Sequence, residues 1–107
     1  MLAMVLIAFS ISCQATPPTE EEATAVSNEI EISDFAFVPA TVTVTVGTTV
    51  TWTNLDSVTH TVTSETDLFD SGNLVRNTTF SYLFADRGTF SYYCAIHPYM
   101  KGEVIVE

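Results

Sequence analysis

A thiol, an imidazole and a thioether lie within one short segment near the carboxyl end of the chain. The segment Cys-Ala-Ile-His-Pro-Tyr-Met contains Cys94, His97 and Met100. Thiolate and thioether sulfurs favour Cu(I), and imidazole accepts copper in both oxidation states. His60 is the only other histidine in the sequence, so it is the candidate for a fourth ligand from a distant segment. These four side chains predict a site for one redox-active copper ion.

Each of these side chains also has an ordinary structural explanation. His60 alone fits a turn, Cys94 fits a small buried apolar position, and Met100 fits a flexible filler of the core. Their combination at the ends of predicted strands favours a metal site. Zinc is the main rival, but structural zinc normally recruits two or more cysteines or additional histidines, and a thioether is a poor zinc ligand.

The apolar pattern of the chain predicts β-strands that would position these ligands. Apolar or aromatic side chains recur at every second residue, the pattern of a half-buried strand, in segments 30–33, 42–46, 50–52, 80–84 and 90–94. With the short run 60–64 and the final segment 103–107, the sequence predicts about seven strands. We therefore expect an all-β, Greek-key β-sandwich. The aperiodic segment 67–77 is expected to be a loop with at most one helical turn.

The first 27 residues differ in composition from the rest of the chain. Residues 1–13 form an apolar stretch, shorter than the roughly 20 residues of a spanning helix, and predict an export leader. Small residues before Cys13 resemble a lipoprotein signal, so the leader is expected to be either cleaved or lipid-modified at Cys13. Residues 14–27 are rich in Pro, Thr, Glu and Ala and predict a flexible acidic linker. Residues 28–107 remain as one domain, and a Cys13–Cys94 disulfide is the alternative use of the two cysteines.

The charge of the chain limits the classes of partner that it is expected to bind. Three Lys and Arg residues against 13 Asp and Glu residues give a formal net charge of -10. Binding to nucleic acid needs clustered cations and is not expected. The acidic balance favours solubility and a basic or dipolar partner, although a salt-rich habitat gives a similar composition.

The segments around the four candidate ligands resemble the cupredoxins, the type 1 blue-copper proteins, and among them amicyanin and plastocyanin. The resemblance covers residues 29–107, and its most specific stretches are 50–56, 60–61, 88–94 and 97–102. Only two residues separate His97 from Met100, which is the amicyanin spacing.

The resemblance implies a role for each site residue. His60, Cys94 and His97 would form a trigonal plane around copper, with the Met100 sulfur as a long axial ligand. The Asn54 side chain would tie the loop before the first histidine to the cysteine loop. Ala95 stands where relatives often have Ser or Thr, so one supporting hydrogen bond is expected to be missing.

The resemblance also implies how electrons enter and leave. The exposed edge of His97 would emerge in an apolar patch with Pro98 and Tyr99. Partners such as a cytochrome or a dehydrogenase would dock there through a small, transient interface. A monomer in the periplasm or outside the cell, with membrane attachment through a lipidated Cys13 as an option, is the expected form.

An electron carrier, and not an enzyme, is the function that these residues favour. Copper oxidases and nitrite reductases need further histidine-rich centres, and both histidines are already assigned to one site. A two-copper centre would need a second cysteine in the ligand loop. Two alternatives stay open: a copper storage or delivery protein with the same site, and a metal-free Ig-like adhesin, which the fold alone would permit.

Overall fold

Two β-sheets form a sandwich in the computed structural model, which describes residues 24–107. Its strands are β1 (Thr24–Val26), β2 (Glu29–Ser33), β3 (Ala36–Val38), β4 (Thr41–Val44), β5 (Thr48–Asn54), β6 (Thr63–Ser64), β7 (Thr79–Phe84), β8 (Gly88–Tyr93) and β9 (Lys101–Val106). Within this range no segment is helical. Consequently, none of residues 24–107 belongs to a helix long and apolar enough to cross a bilayer.

The strand order mixes parallel and antiparallel neighbours. One sheet has the order β1-β4-β9-β8-β6 and the other β3-β2-β5-β7. Strand β4 runs parallel to both of its neighbours, and β5 runs parallel to β2 but antiparallel to β7. The predicted all-β Greek-key sandwich is confirmed. The described residues form nine strands where the sequence predicted about seven, and the two additional strands are β1 and β3, which have only three residues each. Such short strands carry too few residues for a recognisable period.

The core follows the alternation of the sequence. In β4, Val42 and Val44 are buried while the threonines beside them are half-buried, and in β5 the buried positions include Val50 and Trp52. The alternation that the sequence extends to Val46 ends two residues earlier in the structure, because β4 stops at Val44 and Val46 is 42% exposed. The Trp52 indole packs against four other aromatic rings, those of Phe69, Phe80, Phe84 and Tyr92.

The sandwich begins earlier than the sequence predicted. Strand β1 lies inside segment 14–27, where the sequence predicted a flexible linker, and it pairs in parallel with β4 from Thr24↔Thr41 to Val26↔Thr43. Three residues in backbone pairing leave no periodic signal among the acidic and small residues that precede them. The predicted leader at 1–13, including Cys13, lies outside the described residues.

Three connections carry the candidate site, and they meet. They are the β2–β3 turn at 34–35, the β5–β6 connection at 55–62 and the β8–β9 loop at 94–100. The Asp56 carboxylate accepts hydrogen bonds from the turn, and the Thr61 amide donates to the Cys94 sulfur. Residues far apart in sequence are thereby brought to one place.

The segment 67–77 braces the residues around His60. It has no helical turn; instead His60 and Leu74 form an isolated bridge, with N···O distances of 3.1 and 2.8 Å. A second bridge joins Thr63 to Asp70. Both the backbone N–H and the backbone carbonyl of His60 are therefore held by hydrogen bonds to Leu74.

Candidate metal centre

Three of the four predicted ligands converge on one point. The Cys94 sulfur lies 3.7 Å from His60 Nδ1 and 3.6 Å from His97 Nδ1. All three ligand atoms lie within 4.8 Å of one another. His60 and Cys94 are fully buried, whereas His97 is partly exposed. The sequence prediction that His60 would join the distant cysteine loop agrees with this placement.

These distances fit a metal ion. With metal–sulfur and metal–nitrogen bonds of the lengths found for zinc, a sulfur and a nitrogen on one tetrahedral or trigonal ion lie about 3.6–3.8 Å apart. The observed Sγ–Nδ1 separations fall in or next to that range. A thiolate with two imidazoles is also the donor set that suits copper in both oxidation states.

The loop from Cys94 to Met100 is closed by its own backbone. The Cys94 N–H donates to the Met100 carbonyl at 3.1 Å, and the Met100 N–H donates to the His97 carbonyl at 2.9 Å. The His97 N–H in turn donates to the Cys94 carbonyl at 3.2 Å. Met100 is 3% exposed, so its side chain is buried within this loop. The short spacing between His97 and Met100 is what allows this compact turn.

Thr61 joins the two ligand segments. Its backbone N–H donates to the Cys94 sulfur at 3.3 Å, and its hydroxyl accepts from the Ala95 N–H at 2.7 Å. The Cys94 sulfur thus accepts a hydrogen bond from the segment that carries His60. The Ala95 side chain has no polar atom, so the backbone of Ala95 alone takes part in this link.

Asn54 supports the site in a different way from the one that the resemblance implied. Its side-chain amide donates to the carbonyls of Val58 and Leu74 at 2.9 and 2.8 Å, and its oxygen accepts from the Asp56 N–H at 2.8 Å. These contacts shape the connection that leads to His60. The described hydrogen bonds of Asn54 do not reach the cysteine loop, and Thr61 makes that connection instead.

A carboxylate orients the His60 ring. Asp56 Oδ2 lies 2.9 Å from His60 Nε2, which therefore donates its N–H and leaves Nδ1 free to bind a metal. The same carboxylate accepts from the N–H groups of Asp34 and Phe35 at 2.8 and 3.0 Å. Burial acts to raise the pKa of Asp56, but the hydrogen bonds from Phe35, His60 and Asp34 outweigh it and hold that pKa below its ordinary value of 3.8. Asp56 therefore stays ionised and keeps accepting these bonds.

The partly exposed edge of the site is apolar. The Phe35 ring lies edge-on to the His97 ring, with centroids 5.1 Å apart, and Tyr99 contacts His97 from 6.1 Å. Ile96 is 46% exposed, Tyr99 is 68% exposed, and Pro98 is also exposed. His97 thus emerges among Phe35, Ile96, Pro98 and Tyr99, which we call the apolar rim.

Sequence reasoning missed three residues of this site. Asp56 precedes His60 by four positions, a spacing that could have marked it as a partner of the imidazole. Thr61 stands next to His60, but nothing in the sequence indicates that its hydroxyl reaches Ala95. Phe35 lies in a turn 25 positions before His60 (60 minus 35) and carries no sequence signal for a contact with it.

Known proteins resemble this chain in fold and in sequence. A family profile described as Cupredoxin-like domain matches residues 1–106. Amicyanin-alpha of Methylorubrum extorquens is 38% identical over 94 residues, covering 81% of this chain and 77% of that protein. Amicyanin of Paracoccus denitrificans is 29% identical over 121 residues, covering 100% of this chain and 92% of its own length.

Solved structures of related proteins have a similar fold. A purple cupredoxin from Nitrosopumilus maritimus superposes with a TM-score of 0.71 at 34% identity, covering 76% of this chain and all of its own. The Cu(I) form of an amicyanin variant gives a TM-score of 0.70 at 28% identity, with 78% and 82% of the two chains covered.

The fold and the cluster of one thiol and two imidazoles define a copper-binding electron-transfer protein. The chain belongs to the cupredoxin family. Its relatives include amicyanins, and like the members of this family it binds one copper ion. The resemblance found in the sequence is thereby confirmed.

Proposed function

We propose that His60, Cys94, His97 and Met100 hold the copper ion, and that the protein carries single electrons between redox partner proteins outside the cytoplasm. Copper supplies a one-electron couple between Cu(II) and Cu(I). The observation that carries the proposal is the pair of distances from Cys94 Sγ to the two histidine Nδ1 atoms, 3.7 and 3.6 Å. They lie among residues that hydrogen bonds connect to one another.

The surrounding residues prepare these donors for either oxidation state. Asp56 holds the His60 ring with Nδ1 toward the sulfur, and the Thr61 N–H donates to that sulfur. The backbone bonds within 94–100 keep Met100 in place. Because these contacts do not depend on a metal, the donors have little room to rearrange when an electron arrives or leaves. Small rearrangement is what fast electron transfer requires.

The apolar rim supports a route for electrons through His97. His97 is the only one of the three clustered donors that reaches the surface, since His60 and Cys94 are 0% exposed. Ile96, Pro98 and Tyr99 beside it offer an apolar contact surface with few groups to desolvate. A partner that docks on the rim binds weakly and leaves quickly, as small redox interfaces do.

The ligand set can be tested by loading the full chain with Cu(II) and recording visible and paramagnetic spectra. A bound thiolate gives an intense charge-transfer band that bleaches on reduction. We expect Cys94→Ser to abolish this band and Cys13→Ser, the same change at the other cysteine, to keep it. Colour that survives in Cys94→Ser would show that the ligand assignment is wrong.

A carrier and a copper store differ in kinetics. A carrier exchanges electrons rapidly between its own oxidised and reduced copies, which line broadening in mixed NMR samples measures. Broadening that is independent of the oxidised fraction would indicate storage or delivery.

The amino-terminal segment supports a location outside the cytoplasm. Residues 1–13 have the apolar character and the small residues of an export leader, and Cys13 stands at its end. We expect a mature protein that lacks the leader and is either free or acylated at Cys13. The mass of the exported protein distinguishes the two forms, and Cys13→Ala would move an acylated form from the membrane fraction to the soluble fraction. An uncleaved chain that stays in the cytoplasm would contradict the proposal.

A further inference from the structure

The turn between β2 and β3 has an unusual residue at its second position. Asp34 and Phe35 form a two-residue connection between the paired residues Ser33 and Ala36. Their φ angles are +54° and +59°. A hairpin turn with two positive φ angles favours Gly at its second position, because a side chain there is sterically disfavoured. The phenyl ring of Phe35 therefore has no explanation in the turn itself.

The site holds this turn in its strained form. The Asp56 carboxylate accepts hydrogen bonds from both turn amides, at 2.8 and 3.0 Å, and through Oδ2 it also contacts His60. Residues in sparsely populated backbone conformations persist where their surroundings impose them, and they cluster at functional sites. Here the group that fixes the turn is the same group that orients the His60 ring.

The Phe35 ring contacts both imidazoles. It lies edge-on to His60, with centroids 5.4 Å apart and an interplanar angle of 88°, and edge-on to His97 at 5.1 Å and 89°. The two imidazole centroids are themselves only 5.0 Å apart. Phe35 is 41% exposed, so burial in the core does not account for a phenyl ring at this position. One side of the ring faces the two histidines, and part of its surface faces solvent.

We propose that Phe35 is a positioning residue of the copper site. Its ring holds the partly exposed His97 imidazole in the orientation that places Nδ1 toward Cys94 Sγ. The ring also covers the two imidazoles and so hinders small anions from reaching the metal that they would bind. This inference rests on the proposed ligand set and adds to it a residue that keeps the two histidine ligands in place. Edge-to-face contacts of this kind restrict ring rotation while leaving the metal-binding nitrogens free.

Three substitutions separate the ring from the turn. Phe35→Gly removes the ring and gives the turn its preferred residue, so relief of backbone strain offsets part of the lost ring contacts and the fold is expected to form. Phe35→Tyr keeps an aromatic ring in the same place. Asp34→Gly relaxes the neighbouring position of the same turn and leaves the ring intact, which makes it the matched control.

Azide is the probe of access to the copper-loaded protein. We expect azide to change the thiolate-to-copper band and the paramagnetic spectrum of Phe35→Gly, and to leave the wild type, Phe35→Tyr and Asp34→Gly unaffected. Electron self-exchange is expected to slow roughly tenfold in Phe35→Gly, because a loosened ligand must rearrange. Azide binding does not depend on docking between copies and therefore reports on the site itself.

Two results would overturn the inference. One is a Phe35→Gly protein whose spectra resist azide as the wild type does. The other is an equal azide response in Asp34→Gly, which would assign the effect to turn flexibility. A wild-type protein that lacks the thiolate-to-copper band, or keeps it in Cys94→Ser, would instead refute the proposed ligand set, so the two failures are distinguishable.

Discussion

Thr61 links the two ligand segments through one hydroxyl and one amide. Thr61→Val keeps the shape and the N–H that donates to Cys94, but it leaves the Ala95 N–H without the acceptor now 2.7 Å away. Loss of a partner for a partly buried donor costs about 1–3 kcal/mol, so we expect the free energy of unfolding of the metal-free protein to fall by that amount. Denaturant titration measures it, with Thr61→Ser as the control that retains the hydroxyl. Equal stability of Thr61→Val and the wild type would refute this role.

Asp56 places a negative charge beside a proposed copper ligand. Its carboxylate contacts His60 Nε2 at 2.9 Å, and its side chain is only 15% exposed. A fixed negative charge stabilises the more positively charged oxidised site, so Asp56→Asn should raise the reduction potential, by an amount on the order of tens of millivolts. Voltammetry of the copper-loaded protein measures the shift. Asp34→Asn, which removes the same charge from an exposed neighbour, should change the potential less, and a potential that falls in Asp56→Asn would contradict the argument.

The candidate ligands could be read from the sequence, but the residues that orient them could not. Cys94, His97 and Met100 reveal themselves by type and spacing within one loop. The supporting contacts join residues 21 positions apart, as from Phe35 to Asp56, or 34 apart, as from Ala95 to Thr61. Such contacts depend on how the two sheets bring their connecting loops together, and no local pattern encodes that.

Strands β8 and β9 pack closely where Gly102 faces Tyr92. The two residues are register partners, and a Cβ at Gly102 would collide with the Tyr92 hydroxyl and approach the Ala40 carbonyl oxygen to 3.0 Å. Overpacking of this kind costs about 1–3 kcal/mol, so Gly102→Ala should lower the free energy of unfolding by that amount. Combining it with Tyr92→Phe should recover part of the loss, because the nearest colliding atom is then gone. A Gly102→Ala protein as stable as the wild type would contradict this packing.

The same tyrosine makes the sandwich sensitive to alkali. The Tyr92 hydroxyl is buried without a hydrogen-bond partner among the described residues. Burial raises the pKa of Tyr92 well above its ordinary value of 10.0. Above pH 10.0 this tyrosine loses its hydroxyl proton in the unfolded chain but keeps it in the folded protein. The free energy of unfolding therefore falls as pH rises. Unfolding curves should therefore show a steeper loss of stability above pH 10.0 in the wild type than in Tyr92→Phe. Parallel curves would refute the assignment.

At the scale of elements, the two-residue period located the long strands and missed β1 and β3, which have three residues each. The buried positions of β4 and β5, such as Val42 and Trp52, alternate as the sequence predicted. Strand β1 is defined only by three residues paired with β4, and β3 only by three residues paired with β2. Their existence depends on a neighbouring strand and not on their own sequence, which is why the linker prediction extended too far.

The whole molecule combines a strong negative charge with an apolar rim around its exposed ligand. The formal net charge is -10, while the rim formed by Phe35, Ile96, Pro98 and Tyr99 carries no charged side chain. Electrostatic attraction to a partner extends over about one Debye length, whereas the apolar rim stabilises the complex only once the two surfaces touch. We therefore assign the rate of encounter to the overall charge and the docked geometry to the rim.

This division predicts how electron transfer responds to salt. The bimolecular rate constant with a basic c-type cytochrome should fall tenfold or more as ionic strength rises from roughly 0.01 M to 0.5 M, since screening removes the steering of oppositely charged proteins. Tyr99→Ser, which removes the most exposed aromatic ring of the rim, should lower the rate by a similar factor at every salt concentration, because that variant keeps the charge. Stopped-flow mixing of the copper-loaded protein with the cytochrome measures both effects. A rate that is independent of salt would show that charge does not guide the encounter, and an effect of Tyr99→Ser confined to low salt would show that the rim and the charge act together.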